Sequence, residues 1–111
     1  MTQASNRDVA DLLHALGYLY ARHGQERRGL ALLLIASQVD DEDTGVLKSL
    51  AATFIAMGQG RRALAALDRV EALGDGEATL DLLRSRALWA DGDAVQARRV
   101  FQNYVESRKS A

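Results

Sequence analysis

The sequence predicts an all-α fold: three tandem helix-turn-helix repeats, six antiparallel helices in a short right-handed superhelix. Three observations carry this. The first is a register. Gly24, Gly58 and Gly92 recur every 34 residues, as do Gly29, Ala63 and Ala97. Leu33, Leu67 and Phe101 keep the same interval, and so do Tyr20, Phe54 and Leu88. A shared period of this length marks a repeat built as one helical hairpin. The second is a duplication. His23-Gly24-Gln25-Glu26-Arg27-Arg28-Gly29-Leu30-Ala31 and Met57-Gly58-Gln59-Gly60-Arg61-Arg62-Ala63-Leu64-Ala65 agree at six of nine positions. The third is composition: proline is absent while Ala and Leu are abundant, which favours helix throughout.

Three repeats occupy nearly all of the 111 residues, so one domain over 1–111 is expected, with repeats at about 10–43, 44–77 and 78–111. Stacking about three hairpins is the usual minimum for a continuous core, and a hydrophobic fraction of 48% is enough to fill a modest one. The chain has no cysteine, which excludes disulfides, thiolate metal sites and a cysteine nucleophile. Net charge is −1, from 14 basic and 15 acidic residues, so no basic footprint for nucleic acid is expected. The longest uncharged run, Gly29 to Val39, has 11 residues and is too short to cross a bilayer. Met1 to Asp8 is polar and has no apolar signal-peptide core. A cytoplasmic protein without membrane insertion is expected.

Residues 1–6 read as a frayed lead-in, with Ser5 and Asp8 spaced as a helix-capping pair. The first helix is predicted from about Asn6 to His23. Val9, Leu12, Leu13, Leu16, Leu19 and Tyr20 form its apolar stripe, with small Gly17 allowing close approach of a neighbour. The order Leu13, Leu16, Gly17, Tyr20, together with the 34-residue period, resembles the tetratricopeptide repeat, with Leu where that repeat usually has Trp. Each of the three turn glycines falls where the first helix of such a repeat gives way to the second.

The second helix is predicted from about Gln25 to Val39, with Leu30, Leu33, Leu34 and Ala36 inward. The third runs from about Thr44 to Met57, with Leu47, Leu50, Phe54 and Ile55 as apolar anchors and Ala51 in the small position. The fourth runs from about Arg61 to Leu73 on Ala63, Leu64, Leu67 and Val70. Gly74-Asp75-Gly76 is a loop. The fifth helix spans about Glu77 to Asp91, with Leu80, Leu83, Ala87 and Leu88 packing and Ser85 in the small position. Arg84 falls where the earlier repeats have Leu. The sixth spans about Asp93 to Ser107, with Ala97, Val100, Phe101, Tyr104 and Val105 as its stripe. No capping helix follows, so the Phe101–Val105 face is expected to be partly exposed and to pair with a partner or, in the free chain, with a second copy as a homodimer.

Signals for chemistry are weak. His14 and His23, the only histidines, are nine apart and share no ligand-ready turn. The run Asp40-Asp41-Glu42-Asp43 lacks the spacing of a calcium loop and reads as a solvated turn, with Asp43 or Thr44 capping the next helix. There is no Gly-x-Ser-x-Gly elbow and no phosphate-cradling loop among the nine glycines. No enzyme, cofactor or metal is expected. Arg27-Arg28 and Arg61-Arg62 lie one repeat apart and form either a basic stripe for RNA or an acidic partner, or solvated helix starts balanced by Asp68 and Glu71.

The resemblance implies that the first helix of each repeat lines a concave side where partners lie. The candidate partner-binding residues there are Tyr18, Arg22, Lys48, Ile55, Leu82, Arg86 and Trp89, with His14 and Ala52 beside them. The Lys, Asn and Arg clamp by which some tetratricopeptide domains grip a C-terminal carboxylate is missing, because these helices carry no Asn beyond Asn6. Trp, Tyr and Arg commonly anchor interfaces. The alternative for Trp89 is a place inside the last repeat.

Gly92-Asp93, Ala97-Arg98 and Phe101-Gln102-Asn103-Tyr104-Val105-Glu106, with the opening Leu12-Leu13 and Leu16-Gly17-Tyr18, resemble the YscY-type chaperones of bacterial type III secretion. The resemblance implies a small cytosolic protein that binds a secreted component of the YscX type and brings it to the export gate. A tetratricopeptide scaffold or adaptor joining other proteins is the alternative.

Overall fold

A computed structural model of the chain describes residues 5–76 and 78–109. Among these there are six helices and no strand: α1 (Asn6–Arg22), α2 (Glu26–Val39), α3 (Thr44–Ala56), α4 (Gly60–Ala72), α5 (Ala78–Ala90) and α6 (Ala94–Lys109). Residues 1–4 of the expected lead-in, Glu77 of the fifth helix and the last two residues of the third repeat lie outside the described residues.

The helices form three hairpins, α1/α2, α3/α4 and α5/α6, joined by contacts of α2 with α3 and α4 with α5. α3 also touches both α1 and α5, whereas α2, α4 and α6 stay apart from one another among the described residues. The first helices of the hairpins therefore make one continuous layer, with the second helices splayed behind it. The stack is elongated, 53 × 29 × 20 Å.

The hairpin turns follow from the repeat register. Gly24, Gly58 and Gly92 have φ of 82°, 74° and 84°, left-handed values that only glycine takes without strain. Each turn closes with the same bond, Gln25 N–H to Tyr20 O, Gln59 N–H to Phe54 O and Asp93 N–H to Leu88 O, at 2.9, 2.8 and 2.9 Å. Donors and acceptors are themselves 34 residues apart, so the periodicity of the sequence is a periodicity of helix termination. A Cβ on Gly58 would meet no atom within 4 Å, so only its backbone conformation resists substitution. Gly58→Val should destabilise the chain by about 1 kcal/mol or more, read as a lower denaturant midpoint; an unchanged midpoint would remove the left-handed turn.

Helix starts also match their signals. Ser5 and Asp8 form a reciprocal capping box on α1, and Asp43 accepts from Val46 N on α3. The Asp43 carboxylate of the acidic run thus serves as a helix cap, and Asp40 accepts from Glu42 N. α6 extends through Arg108 and Lys109, whose charges suit its C-terminal turn.

Within hairpins, small residues set the approach. Gly17, Ala51 and Ser85 are buried on the first helices, and Gly29, Ala63 and Ala97 on the second. A Cβ on Gly29 would lie 2.6 Å from Gly17 O and 2.8 Å from Ala21 N, so α1 and α2 meet backbone to backbone. In the third hairpin Ser85 Oγ donates to Ala97 O at 2.9 Å across the same crossing. Leu33, Ala36, Val46, Leu47, Leu50, Phe54, Leu67, Val70 and Leu80 fill the core between hairpins.

Two expectations need correction. The α1 stripe does not pack as a whole: Val9, Leu12, Leu16 and Leu19 are exposed, while Ala10 and Gly17 are buried. Likewise Leu34 of α2 is exposed. Helical spacing reports an apolar face; burial requires an element lying over it. Arg84 has a positive account. It donates to Asp68 at 2.7 Å and Glu71 at 2.8 Å, tying α5 to α4 where Leu would otherwise pack. Asp68 and Glu71 are thus engaged by Arg84, and the expected balance of Arg61-Arg62 by these two acids is not the arrangement found.

Candidate protein-binding face

Two of the clefts on the layer of α1, α3 and α5 adjoin at Ala56. The larger, about 670 Å³, lies at the α5/α6 end. Ile55 and Ala56 of α3, Arg86, Trp89 and Ala90 of α5, and Ala94, Ala97, Arg98 and Phe101 of α6 line it. Its walls are mostly apolar, with two guanidinium groups at hand. The second, about 310 Å³, lies between α1 and α3 and is lined by Tyr18, Arg22, Lys48, Ala52 and Leu83 among others.

Six of the seven predicted residues line these clefts. Trp89 is 68% exposed, so of the two places open to it the structure gives the surface one. Trp89 lies one turn beyond the buried Ser85 on the same side of α5, and both border the main cleft, so its exposure is set by what covers the cleft and not by helical phase. Ile55 is half-buried beneath the same cleft. Arg86 is exposed. Leu82 is half-buried on α5 and is not among the residues lining either cleft.

At the α1 end, Arg22 donates to the Tyr18 hydroxyl at 2.8 Å, with its guanidinium carbon 5.6 Å from the ring centroid. The bond preorganises an amphipathic pair one turn apart. Lys48 holds Asp75 at 2.8 Å, the two side chains being 27% and 22% exposed. Its charge is therefore largely met within the protein, and it acts chiefly to tie α3 to the loop before α5. His14 shares a 2.7 Å hydrogen bond with Ser49 across α1 and α3, which accounts for that histidine structurally.

The sequence pointed to only part of the α6 wall, the Phe101–Val105 face. Ala94, Arg98 and Phe101 face the main cleft from a second helix, and only the first helices were expected to line it. The exposure of Phe101, whose column-mates Leu33 and Leu67 are fully buried, agrees with the partly exposed Phe101–Val105 face expected from the sequence. Further along α6, Arg108 donates to the Tyr104 hydroxyl at 3.0 Å, and this bond raises the guanidinium pKa above its usual value. The arginine pairs near the turns do not form a free stripe throughout, since Arg62 donates to Gln59 and lies 6.0 Å from the Phe54 ring centroid.

No helix among the described residues is long and apolar enough to cross a membrane. Comparison with protein-family models and with curated proteins finds no match for this chain.

Proposed function

We propose that the chain is a tetratricopeptide-type chaperone that binds a small secreted protein through the α1/α3/α5 layer, acting by binding and without catalysis. The observation carrying this is the exposed Trp89 at the rim of an apolar cleft, flanked by Arg86 and Arg98. An indole left in water costs free energy that a partner recovers on covering it, and large aromatic side chains beside Arg are common interface anchors. The occupant is an apolar-faced helix or extended segment, for which a trough between helices is a suitable receptor. Its charge should be net acidic where it passes Arg86 and Arg98, since complementary charge steers encounter and fixes register.

The likeness of α6 and the opening of α1 to YscY-type chaperones supports a narrower assignment: a cytosolic partner of a YscX-type secreted component, delivering it to the export gate. Co-expression with such a component should recover it as a soluble complex with the chain. A YscX-type protein equally soluble, and unbound, in the presence of the chain would contradict the assignment.

A further inference from the structure

The repeat register allows each end helix to be compared with its counterparts inside the stack. α3 and α5 each receive the second helix of the preceding hairpin. On them, Val46 and Leu80 are 0% and 4% exposed, and Thr53 and Ala87 are 4% and 0% exposed. The same two columns on α1 hold Leu12 and Leu19, at 60% and 52%. On the donating side, Leu33 of α2 and Leu67 of α4 are fully buried in the core cluster that runs on into the next hairpin, whereas Phe101 of α6 is 46% exposed. The two ends of the array thus carry opposite halves of one junction: α1 presents the receiving face, and α6 presents the donating face.

We propose that the free chain self-associates head to tail, with the α1 face of one copy seated on the α6 face of the next. The occupant is identified by how the junctions are matched. In the α4/α5 junction Arg84 is bonded to Asp68 and Glu71. One repeat register places Leu16 of α1 at the Arg84 position, and Gln102 and Val105 of α6 at the Asp68 and Glu71 positions. The α4/α5 junction sets cation against anions, the α2/α3 junction has Leu50, Leu34 and Ser37 at the same positions, and the end-to-end junction sets leucine against valine and a neutral amide in the manner of α2/α3. No charge is left unmatched at these positions. Two α1 faces, or two α6 faces, have no such template within the stack. The contact is heterologous, so it propagates into rings or filaments unless an end is blocked. Phe101 and Trp89 line one cleft, so a second copy and the secreted partner exclude each other there.

The test needs only the purified chain. Sedimentation equilibrium over a dilution series should show an average mass rising from the 12.1 kDa monomer beyond that of a dimer. Leu16→Glu and Phe101→Glu should each weaken association by about tenfold or more, since a carboxylate enters an apolar contact. Both side chains are exposed, so each variant should keep its helical signal and melting temperature. Mixed in equal amounts, the two variants retain one complementary pair of faces and should form a 1:1 heterodimer that grows no further. Leu16→Arg should likewise weaken association, and adding Val105→Glu should restore it in a salt-sensitive form, copying Arg84 with Glu71. A wild-type chain monomeric at every concentration would overturn the proposal. So would either carboxylate variant alone dimerising as tightly as the wild type, because that is a symmetric interface.

Discussion

Leu67→Ala should cost the fold about 2–5 kcal/mol, whereas Phe101→Ala, at the same position one repeat on, should cost less than about 1 kcal/mol. Leu67 is fully buried in the core cluster, so truncation leaves a cavity that the packed helices fill poorly. Phe101 occupies the equivalent site on α6 but stands half in solvent, and its loss opens no cavity. Urea denaturation at high dilution, where copies do not associate, reads both values from the midpoint and slope. Equal losses at the two positions would mean that α6 is covered as α4 is, and the end face would not exist.

Trp89→Ala should weaken the complex with the proposed secreted partner by about 2 kcal/mol, close to thirtyfold in Kd, while leaving the melting temperature of the free chain almost unchanged. The separation of the two effects follows from position. The indole is largely in solvent and lies above the cleft, so the free fold loses little packing with it. In the complex, the same side chain is the largest apolar surface available at the mouth. Arg86→Ala should act differently, slowing association and reducing its salt dependence more than it speeds dissociation. Isothermal titration paired with thermal melting separates the two outcomes. A large drop in melting temperature with unchanged affinity would place Trp89 in the core and remove the cleft as the binding face.

Much of the fold is legible in the sequence because its punctuation is local. Helix ends fall within about two residues of expectation, since Gly24, Gly58 and Gly92 terminate helices by their own backbone and Ser5 and Asp43 start them by their own side chains. The small columns through Gly17 and Gly29 are legible for the same reason, being one-residue requirements repeated at a fixed interval. Relations between helices are less so. Leu12, Leu16 and Leu19 have the spacing of a packed face, but whether another helix covers them depends on their place in the stack. Arg84 looks like a defect until Asp68 and Glu71 are seen on the facing helix. Lys48 reads as a free cation for a partner, and only the folded chain brings Asp75 to it. Trp89 had two places open to it in the sequence, and only the folded chain, which leaves it 68% exposed one turn beyond the buried Ser85, decides between them.

Trp89 is the only tryptophan in the chain, so its emission reports the binding face without labelling. The most direct measurement is that emission, with acrylamide quenching, as a YscX-type secreted protein lacking tryptophan is titrated into the dilute chain. The free chain should emit as a water-exposed indole that acrylamide quenches readily, and saturation with the partner should shift the emission to shorter wavelength and protect it from the quencher. A partner that binds while the emission and quenching of Trp89 stay as they were would contradict a binding face built around this residue.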